Sequence, residues 1–381
     1  MKEGGEHCVA HLPISPRSEA PIGYYETAIC TDALAQNENC LPLFNINIIG
    51  EKGKNIKDIN SYIQNLNKIG ITKFHLMVDE SYVQDIEKII NATWGKLIEE
   101  KDVKVIKNDS GKIEFLAVGE NVEEKINKYR KSLYRTNQGK AIEKATEIEL
   151  KEYLIKGLVL KLPENGLPKI DIFPNYAKME ISQLWDKFKN KELLISRSSQ
   201  RKLLICSPSG NRKYYIDSDF CWMPHLYIAE EKNKLHVNTL VIVHENIKQA
   251  ILSLMVCQQL GGELPQKIIV LPKIFIKSPE GKNVSLDQIL ETHSPEVARF
   301  ILLWGLGCSR KELIIPSSMP EQLSKFISNR RYFLGDSSKF NLAEISPRDY
   351  DWGNEIKMLR KNLSGRISKW KFSYAMRNNT P

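Results

Sequence analysis

His7 and His11 stand four residues apart around Cys8-Val9-Ala10. On a helix this spacing puts two imidazoles on one face, the arrangement of a zinc protease, which also needs Glu directly after the first His. Cys8 stands there instead, and the segment reads as a strand, so no metal is expected. The cysteines are Cys8, Cys30, Cys40, Cys206, Cys221, Cys257 and Cys308. Their odd number and the lack of any CxxC pair argue against a disulfide framework and against a cysteine zinc knuckle. A reducing cytoplasm is the expected setting. Cys221 is a nucleophile by residue type, but nothing beside it argues for an activated thiolate, and a buried thiol is the plainer reading. His75 alternates with apolar neighbours, as a strand-face histidine does. Near the end, Lys357, Arg360, Lys361, Arg366, Lys369, Lys371 and Arg377 surround Trp370, Phe372 and Tyr374. Cations neutralise phosphates and aromatic faces stack on unpaired bases. The plainer reading is a solvated helix with a few packed aromatics.

These groups need a scaffold, and the chain is long enough to supply one. Its 381 residues suggest two or three domains, and 42% hydrophobic with 27% charged residues suits a buried core. A net charge of +9 favours a polyanionic partner modestly. No run has the length of a bilayer-spanning helix, and Met1 to His7 contain no apolar stretch of a signal peptide, so no membrane association is expected. Residues 41–50 read as a buried strand ending at Gly50. Helices are expected over Tyr24 to Asn37, Ile56 to Ile69 and Tyr82 to Glu100, with a strand from Lys73 to Val78 between the last two. Residues 103–170 are richer in Lys and Glu and read as an inserted α+β segment, with a short strand at Lys112 to Val118 and a helix from Val122 to Tyr134. After Leu193 the α/β alternation returns: Leu203 to Cys206 and Leu240 to Val243 are short apolar runs, Ile247 to Leu260 is a helix closed by Gly261-Gly262, and Ile268 to Leu271 is a buried strand.

Five segments fall in the order found in class I aminoacyl-tRNA synthetases, methionyl-tRNA synthetase in particular. Pro21-Ile22-Gly23-Tyr24 sits where the family carries HIGH. Leu194-Ile195-Ser196-Arg197 resembles the Ser-Arg stretch after the insertion. Trp222 sits where the methionyl enzymes place a tryptophan. Phe275 to Val284 resembles KMSKS with its Gly-Asn-Val tail, and Asp287 to Phe300 resembles the helical segment that follows. The resemblance implies an α/β fold with a split Rossmann core. Residues 1–102 would form its first half, 103–192 the connective insertion and 193–275 the second half. Residues 276–381 would hold the KMSKS-like loop and a short helical basic C-terminal region. The resemblance leads us to expect an anticodon-binding bundle that is shortened or replaced.

The departures from the family define the expected chemistry. The two HIGH histidines stabilise charge on phosphorus in the family. Here they align with Pro21, which has no donor, and Tyr24, whose hydroxyl has one. Lys277-Ser278 is the surviving Lys-Ser pair. The carboxylate that grips the amino group aligns with Gly50, beside Glu51. His244-Glu245-Asn246 replaces a nucleotide-side Gly-Lys-Asp stretch, and the insertion lacks zinc-binding cysteines. ATP activation is therefore expected to be severely impaired. The resemblance makes His11, Tyr24 and Lys277 the catalytic candidates, with His11 a general base in the amino-acid pocket. Leu12, Ile14, Trp222 and His225 are the candidates for contacting the substrate. Gly23, Glu51, Arg197, His244, Asn246 and Ser278 are the candidates for the nucleotide or the tRNA 3′ end. Each has a plainer structural reading: a strand-end or hydrogen-bonded histidine, a salt-bridged Arg197, a solvated Lys277. The expected activity is transfer or ligation of an aminoacyl group in amide or ester formation, with aminoacyl-tRNA as donor and a small-molecule acceptor. The alternatives are a diverged ATP-dependent ligase, the only reading that needs ATP and Mg²⁺, and a non-catalytic tRNA- or partner-binding module.

Overall fold

The computed structural model describes residues 6–16, 20–49, 56–107, 113–115, 151–197, 203–208, 210–278, 281–303, 311–315, 319–321 and 323–324. The chain opens with β1 (Glu6–His11), a 3₁₀ turn at Ile22–Tyr25 and α1 (Glu26–Asn37). There follow β2 (Pro42–Ile46), α2 (Ile56–Lys68), β3 (His75–Val78), a 3₁₀ turn at Asp79–Tyr82 and α3 (Val83–Thr93). All five residues of β2 are buried, as expected for a parallel strand covered on both faces. In and just after α2, the buried residues Ile59, Tyr62, Leu66 and Ile69 recur at three- and four-residue spacing, so one helical stripe meets the core.

The helix expected to run from Tyr82 to Glu100 is shorter than that. It stops at Thr93, Gly95 turns the chain at φ +76°, and β4 (Ile98–Lys107) begins at Ile98. A glycine tolerates this left-handed conformation at no steric cost, and the helical pattern breaks there. Next come β5 (Ile113–Phe115), β6 (Lys151–Lys161), β7 (Asp171–Phe173) and α4 (Asn175–Phe188). They are followed by β8 (Glu192–Leu194), β9 (Ser196–Arg197), β10 (Leu204–Cys206) and β11 (Lys213–Ile216). The second half contains α5 (Ser218–Trp222), α6 (His225–Asn233), β12 (Leu235–Val243), α7 (Ile247–Gln259) and β13 (Lys267–Leu271). Last are β14 (Lys273–Ile276), α8 (Leu286–Leu290), α9 (Pro295–Leu303) and β15 (Glu312–Ile315). The expected helix from Val122 to Tyr134 and the basic, aromatic stretch after Lys357 lie outside the described residues.

The central sheet has the order β3-β2-β1-β12-β13-β7, with every neighbouring pair parallel. The expected α/β class with a parallel central sheet is the observed one. Strand order reverses between β1 and β12, and in open α/β sheets ligands bind outside the carboxyl ends of the strands at this switch point. The segment between the two halves forms an antiparallel sheet, β5-β4-β6-β8, and a smaller one, β10-β11-β9. Two details differ from a simple insertion. β4 runs through the expected boundary at residue 102, and β7 with α4 returns to the edge of the central sheet. A three-residue strand carries too little alternation to be read from sequence.

Alternate residues of β1 face opposite cores: Cys8, Ala10 and Leu12 join the cluster containing Tyr82 and Trp185, and Val9 joins the one containing Tyr25, Tyr62 and Ile301. One buried ion pair ties the second cluster together. Arg299 on α9 donates to Asp32 on α1 at 2.7 Å and to the Ile69 carbonyl at 3.0 Å.

Candidate functional site

The switch point places His11 at the carboxyl end of β1, paired in register with Val241. Its ring is fully buried and stacks on Phe44, with centroids 5.2 Å apart. Nδ1 lies 2.6 Å from the Leu12 carbonyl oxygen. A carbonyl only accepts, so Nδ1 carries the proton. Burial pushes the imidazole down to about 4, against the pull of that same hydrogen bond. The ring is neutral near pH 7, and Nε2 is a bare lone pair, buried and without a hydrogen-bond partner. A base with so low a pKa removes protons poorly, whereas accepting a hydrogen bond is what this nitrogen does well.

His225 repeats the arrangement from the other half of the fold. It opens α6 and is also fully buried. Its Nδ1 lies 3.1 Å from the Trp222 carbonyl oxygen and 3.2 Å from Ser253 Oγ. Ser253 in turn donates to the Met223 carbonyl at 2.7 Å, so its oxygen is free to accept from the imidazole. Burial pushes His225 down to about 3; the carbonyl bonds oppose this and the neighbouring His11 reinforces it. Nε2 of His225 is the second buried, unpartnered acceptor. Trp222 sits 6.5 Å from the His225 ring, centroid to centroid, and shares one apolar cluster with Leu12, Ile49, Tyr82 and Cys221.

The sequence reading passed over Asp79. This fully buried carboxylate accepts from the Ile48 and Ile49 amides at 2.9 and 3.0 Å, fixing the backbone that leads into Gly50 and Glu51. Those two residues lie outside the described ones. An acid at the end of a strand and the start of a 3₁₀ turn was the available signal. Ile14 is held by its amide on Asn45 O at 3.0 Å and its carbonyl on Asn47 N at 2.8 Å. Cys221 is buried and pushed away from thiolate formation by burial and by Asp79, so the plainer reading of that residue stands.

The HIGH-like turn is committed to the protein. The Tyr24 hydroxyl donates to the Ser15 carbonyl, and its ring packs edge-on to Tyr25 and Tyr62. Ile22 N donates to Val284 O at 2.9 Å, and Pro21 bridges Ser285. A Cβ on Gly23 would stand 2.1 Å from the Ile274 carbonyl oxygen, so here the glycine admits the backbone of β14. The KMSKS-like stretch is a hairpin in which Lys277 bridges Asn283 and Ser278 N donates to Lys282 O at 2.8 Å. Lys277 is exposed, with its ammonium 5.5 Å from the Phe275 centroid. The Ser278 hydroxyl is buried without a hydrogen-bond partner.

His244 is engaged elsewhere. Its Nε2 lies 2.9 Å from a Glu180 oxygen, which Lys311 also approaches at 3.1 Å. Burial alone would raise Glu180, but these two partners hold it below the usual carboxylate value. Asn246 precedes α7 without capping it through its side chain. Arg197 pairs with Tyr215 through the backbone, and its side chain lies outside the described residues. The structure thus sets His11 at the switch point against Phe44 of the second cluster, and His225 beside Trp222, which shares the first cluster with Leu12. It ties Gly23 and Tyr24 to the hairpin that carries Lys277 and Ser278, and it places His244 with α4. Among the described residues, no group of three or more His, Cys, Asp or Glu side chains is placed to hold a metal ion.

No family model matches the sequence, and no curated protein matches it. Solved structures do match. A crystal structure of Mycobacterium tuberculosis methionyl-tRNA synthetase bound by methionyl-adenylate superposes with a TM-score of 0.56 at 11% identity. A second structure of that enzyme with methionyl-adenylate gives 0.57 at 12%. Each alignment covers 96% of this chain and 72% of the other. At such identities the likeness is one of fold: a class I synthetase-type Rossmann core. Among the described residues no helix is long and apolar enough to cross a membrane.

Proposed function

We propose that this protein uses a class I synthetase core to hold an amino acid or aminoacyl group at the mouth between β1 and β12, and to join it to an acceptor in an amide or ester bond. Aminoacyl-tRNA is the donor in this reading and a small molecule the acceptor. The amine nitrogen attacks the ester carbonyl, the bond from that carbonyl to the tRNA 3′ oxygen breaks, and the proton lost by the amine ends on that oxygen. No triphosphate is consumed. Holding ester and amine side by side supplies much of the rate. His11 orients an N–H or O–H donor, and Leu12, Ile14, Trp222 and His225 form the pocket. The observation that carries the reading is the buried, unpartnered imidazole nitrogen of His11 at the switch point, set against a HIGH-like turn whose Tyr24 hydroxyl and Ile22 amide are already spent on protein acceptors. The described cysteines are free thiols, which supports a cytoplasmic setting.

One observation favours a second reading, a diverged ATP-dependent ligase. Lys277 is exposed on the Phe275 ring and has no carboxylate partner among the described residues, which suits its ammonium to a phosphate. The two readings separate in one set of assays. The protein is incubated with charged tRNA and an amine panel, and separately with ATP, Mg²⁺ and an amino-acid panel. Loss of the aminoacyl group only when an acceptor is present supports transfer. AMP release supports the ligase. tRNA binding with neither turnover leaves a binding module, and activity undiminished in Lys277→Ala removes that lysine from either mechanism.

A further inference from the structure

His11 and the apolar residues beside it lie on different faces of the central sheet. The imidazole packs on Phe44, in the second cluster, whereas Leu12 and Trp222 belong to the first. One buried polar side chain connects the two faces. Asn45 on β2 is fully buried. Its neighbours Phe44 and Ile46 belong to the second cluster, and Met77, its partner in register on β3, belongs to the first. Side chains alternate along a strand, so Asn45 stands on the face of Leu12. From there its Nδ2 donates to the His11 carbonyl at 2.7 Å. A carbonyl only accepts, so the amide is turned with its nitrogen toward His11. Its Oδ1 is buried without a hydrogen-bond partner.

The same residue holds the strand end a second time: its main-chain oxygen accepts from Ile14 N at 3.0 Å. The two anchors bracket Leu12, whose own carbonyl oxygen lies 2.6 Å from His11 Nδ1. A neutral imidazole carries its proton on one nitrogen or the other, and the hydrogen bond it makes decides which. With Leu12 O in place the proton stays on Nδ1, and Nε2 is a bare acceptor. If that carbonyl turned away, the proton would be free to sit on Nε2, and the acceptor would become a donor. We infer that Asn45 is the positioning residue of the switch point: by bracketing Leu12 it keeps His11 in the tautomer that accepts through Nε2. This rests on the reading of His11 as the group that orients an N–H or O–H of the substrate. Asn45 acts through His11.

The test uses the full chain with ¹⁵N-labelled histidine, the His11 signals being those lost in His11→Phe. In the parent, Nδ1 is expected to be protonated and Nε2 bare at pH 7. Asn45→Leu keeps the main-chain anchor and removes the side-chain one. It is expected to raise the share of the Nε2–H tautomer about fivefold, the worth of one hydrogen bond. Asn45→Asp is the conservative variant. Burial favours its protonated carboxyl, which donates to His11 O in place of the amide and restores the parental pattern. As the pH is raised and that carboxyl ionises, followed by its ¹³C signal, the donor is lost and the Nε2–H form appears. An asparagine that only stabilises the fold would lower urea stability and leave the imidazole signals alone. Overturning results are a parent already protonated on Nε2, unchanged His11 signals in Asn45→Leu, or an Asn45→Asp pattern that ignores ionisation of the carboxyl. The last of these decides if Asn45→Leu does not fold. Transfer is measured separately with charged tRNA and an amine panel. An Asn45-dependent tautomer without transfer sinks the transfer reading alone, and transfer with a tautomer indifferent to Asn45 sinks this inference alone.

Discussion

Substituting Gly23 by alanine tests how the HIGH-like turn meets β14. The backbone of Gly23 lies in a 3₁₀ turn, where alanine is allowed, so by conformational entropy alone the change should stabilise by about 0.5–1 kcal/mol. The space decides otherwise. The added methyl would stand 2.1 Å from the Ile274 oxygen and 3.0 Å from its carbonyl carbon. That is about 1.3 Å inside ordinary contact, and the obstacle is backbone, which cannot rotate away. Overpacking of this kind costs about 1–3 kcal/mol. Retreat of β14 would also stretch the bond from Ile22 N to Val284 O, worth about 1 kcal/mol. The net expectation is a loss of about 2–3 kcal/mol, dominated by the clash. Urea unfolding followed by tryptophan fluorescence measures it, with hydrogen exchange at the Ile22 amide as the local readout. Gly166→Ala, where nothing lies within 4 Å, is the control and should stay within about 0.5 kcal/mol of the parent. If Gly23→Ala matches that control, the close approach argued here is wrong.

Asp32→Ala strands the buried Arg299 guanidinium and should cost about 3–5 kcal/mol in urea unfolding, whereas Asp32→Leu with Arg299→Met together should cost far less; equal losses would refute a charge-burial origin. Stability should fall as pH drops from about 6.5 toward 4. His11 and His225 have folded values pushed down to about 4 and 3, so in that window the unfolded chain binds more protons and each imidazole contributes a slope of up to about 1.4 kcal/mol per pH unit. The slope should become shallower in His11→Phe or His225→Phe, and an unchanged slope in both would contradict the neutral, buried assignment. Tyr24→Phe removes the hydroxyl that holds the Ser15 carbonyl and should destabilise by about 1 kcal/mol; no change would show that the bond contributes nothing.

Much of the fold was legible because its signals are local. The buried β2 reads from the apolar run over residues 41–50, although the strand itself ends at Ile46, α2 from its apolar stripe, and α7 from its apolar face and the closing Gly261-Gly262. Gly95 breaks a pattern that looked helical to Glu100, and Asp-Ile-Phe of β7 is recruited by pairing with Ile268 across the chain, which no window around it can show. The site was legible at the level of residue type. His11 and His225 stand out as histidines near strand and helix ends, but their tautomers depend on carbonyls and on Ser253, which comes from α7. His244 looked similar in sequence and differs only because α4 brings Glu180 to it. Asp79 was missed because its partners, Ile48 and Ile49, belong to the loop after a different strand.

The contacts that bind the HIGH-like turn bear directly on triphosphate chemistry. In the ATP-dependent reading, Lys277 must reach a phosphate from its hairpin. Here the hairpin is anchored at its exit by the Ser285–Gln288 capping box of α8. It is joined to the turn by the Ile22–Val284 bond and the Pro21–Ser285 bridge. Parting the two breaks the Ile22–Val284 backbone hydrogen bond, worth about 1 kcal/mol, and separates Gly23 from the Ile274 backbone. The same turn reaches back through the Tyr24 hydroxyl to Ser15, four residues beyond His11. The hairpin therefore steadies the strand end that carries the buried imidazole, and opening it would loosen that support. A protein working by proximity gains from such rigidity, and one that must grip and release a triphosphate loses by it. Saturating ATP with Mg²⁺ should leave hydrogen exchange at the Ile22 and Val284 amides unchanged. Added protection or exposure at those two amides would favour the ligase and count against aminoacyl transfer.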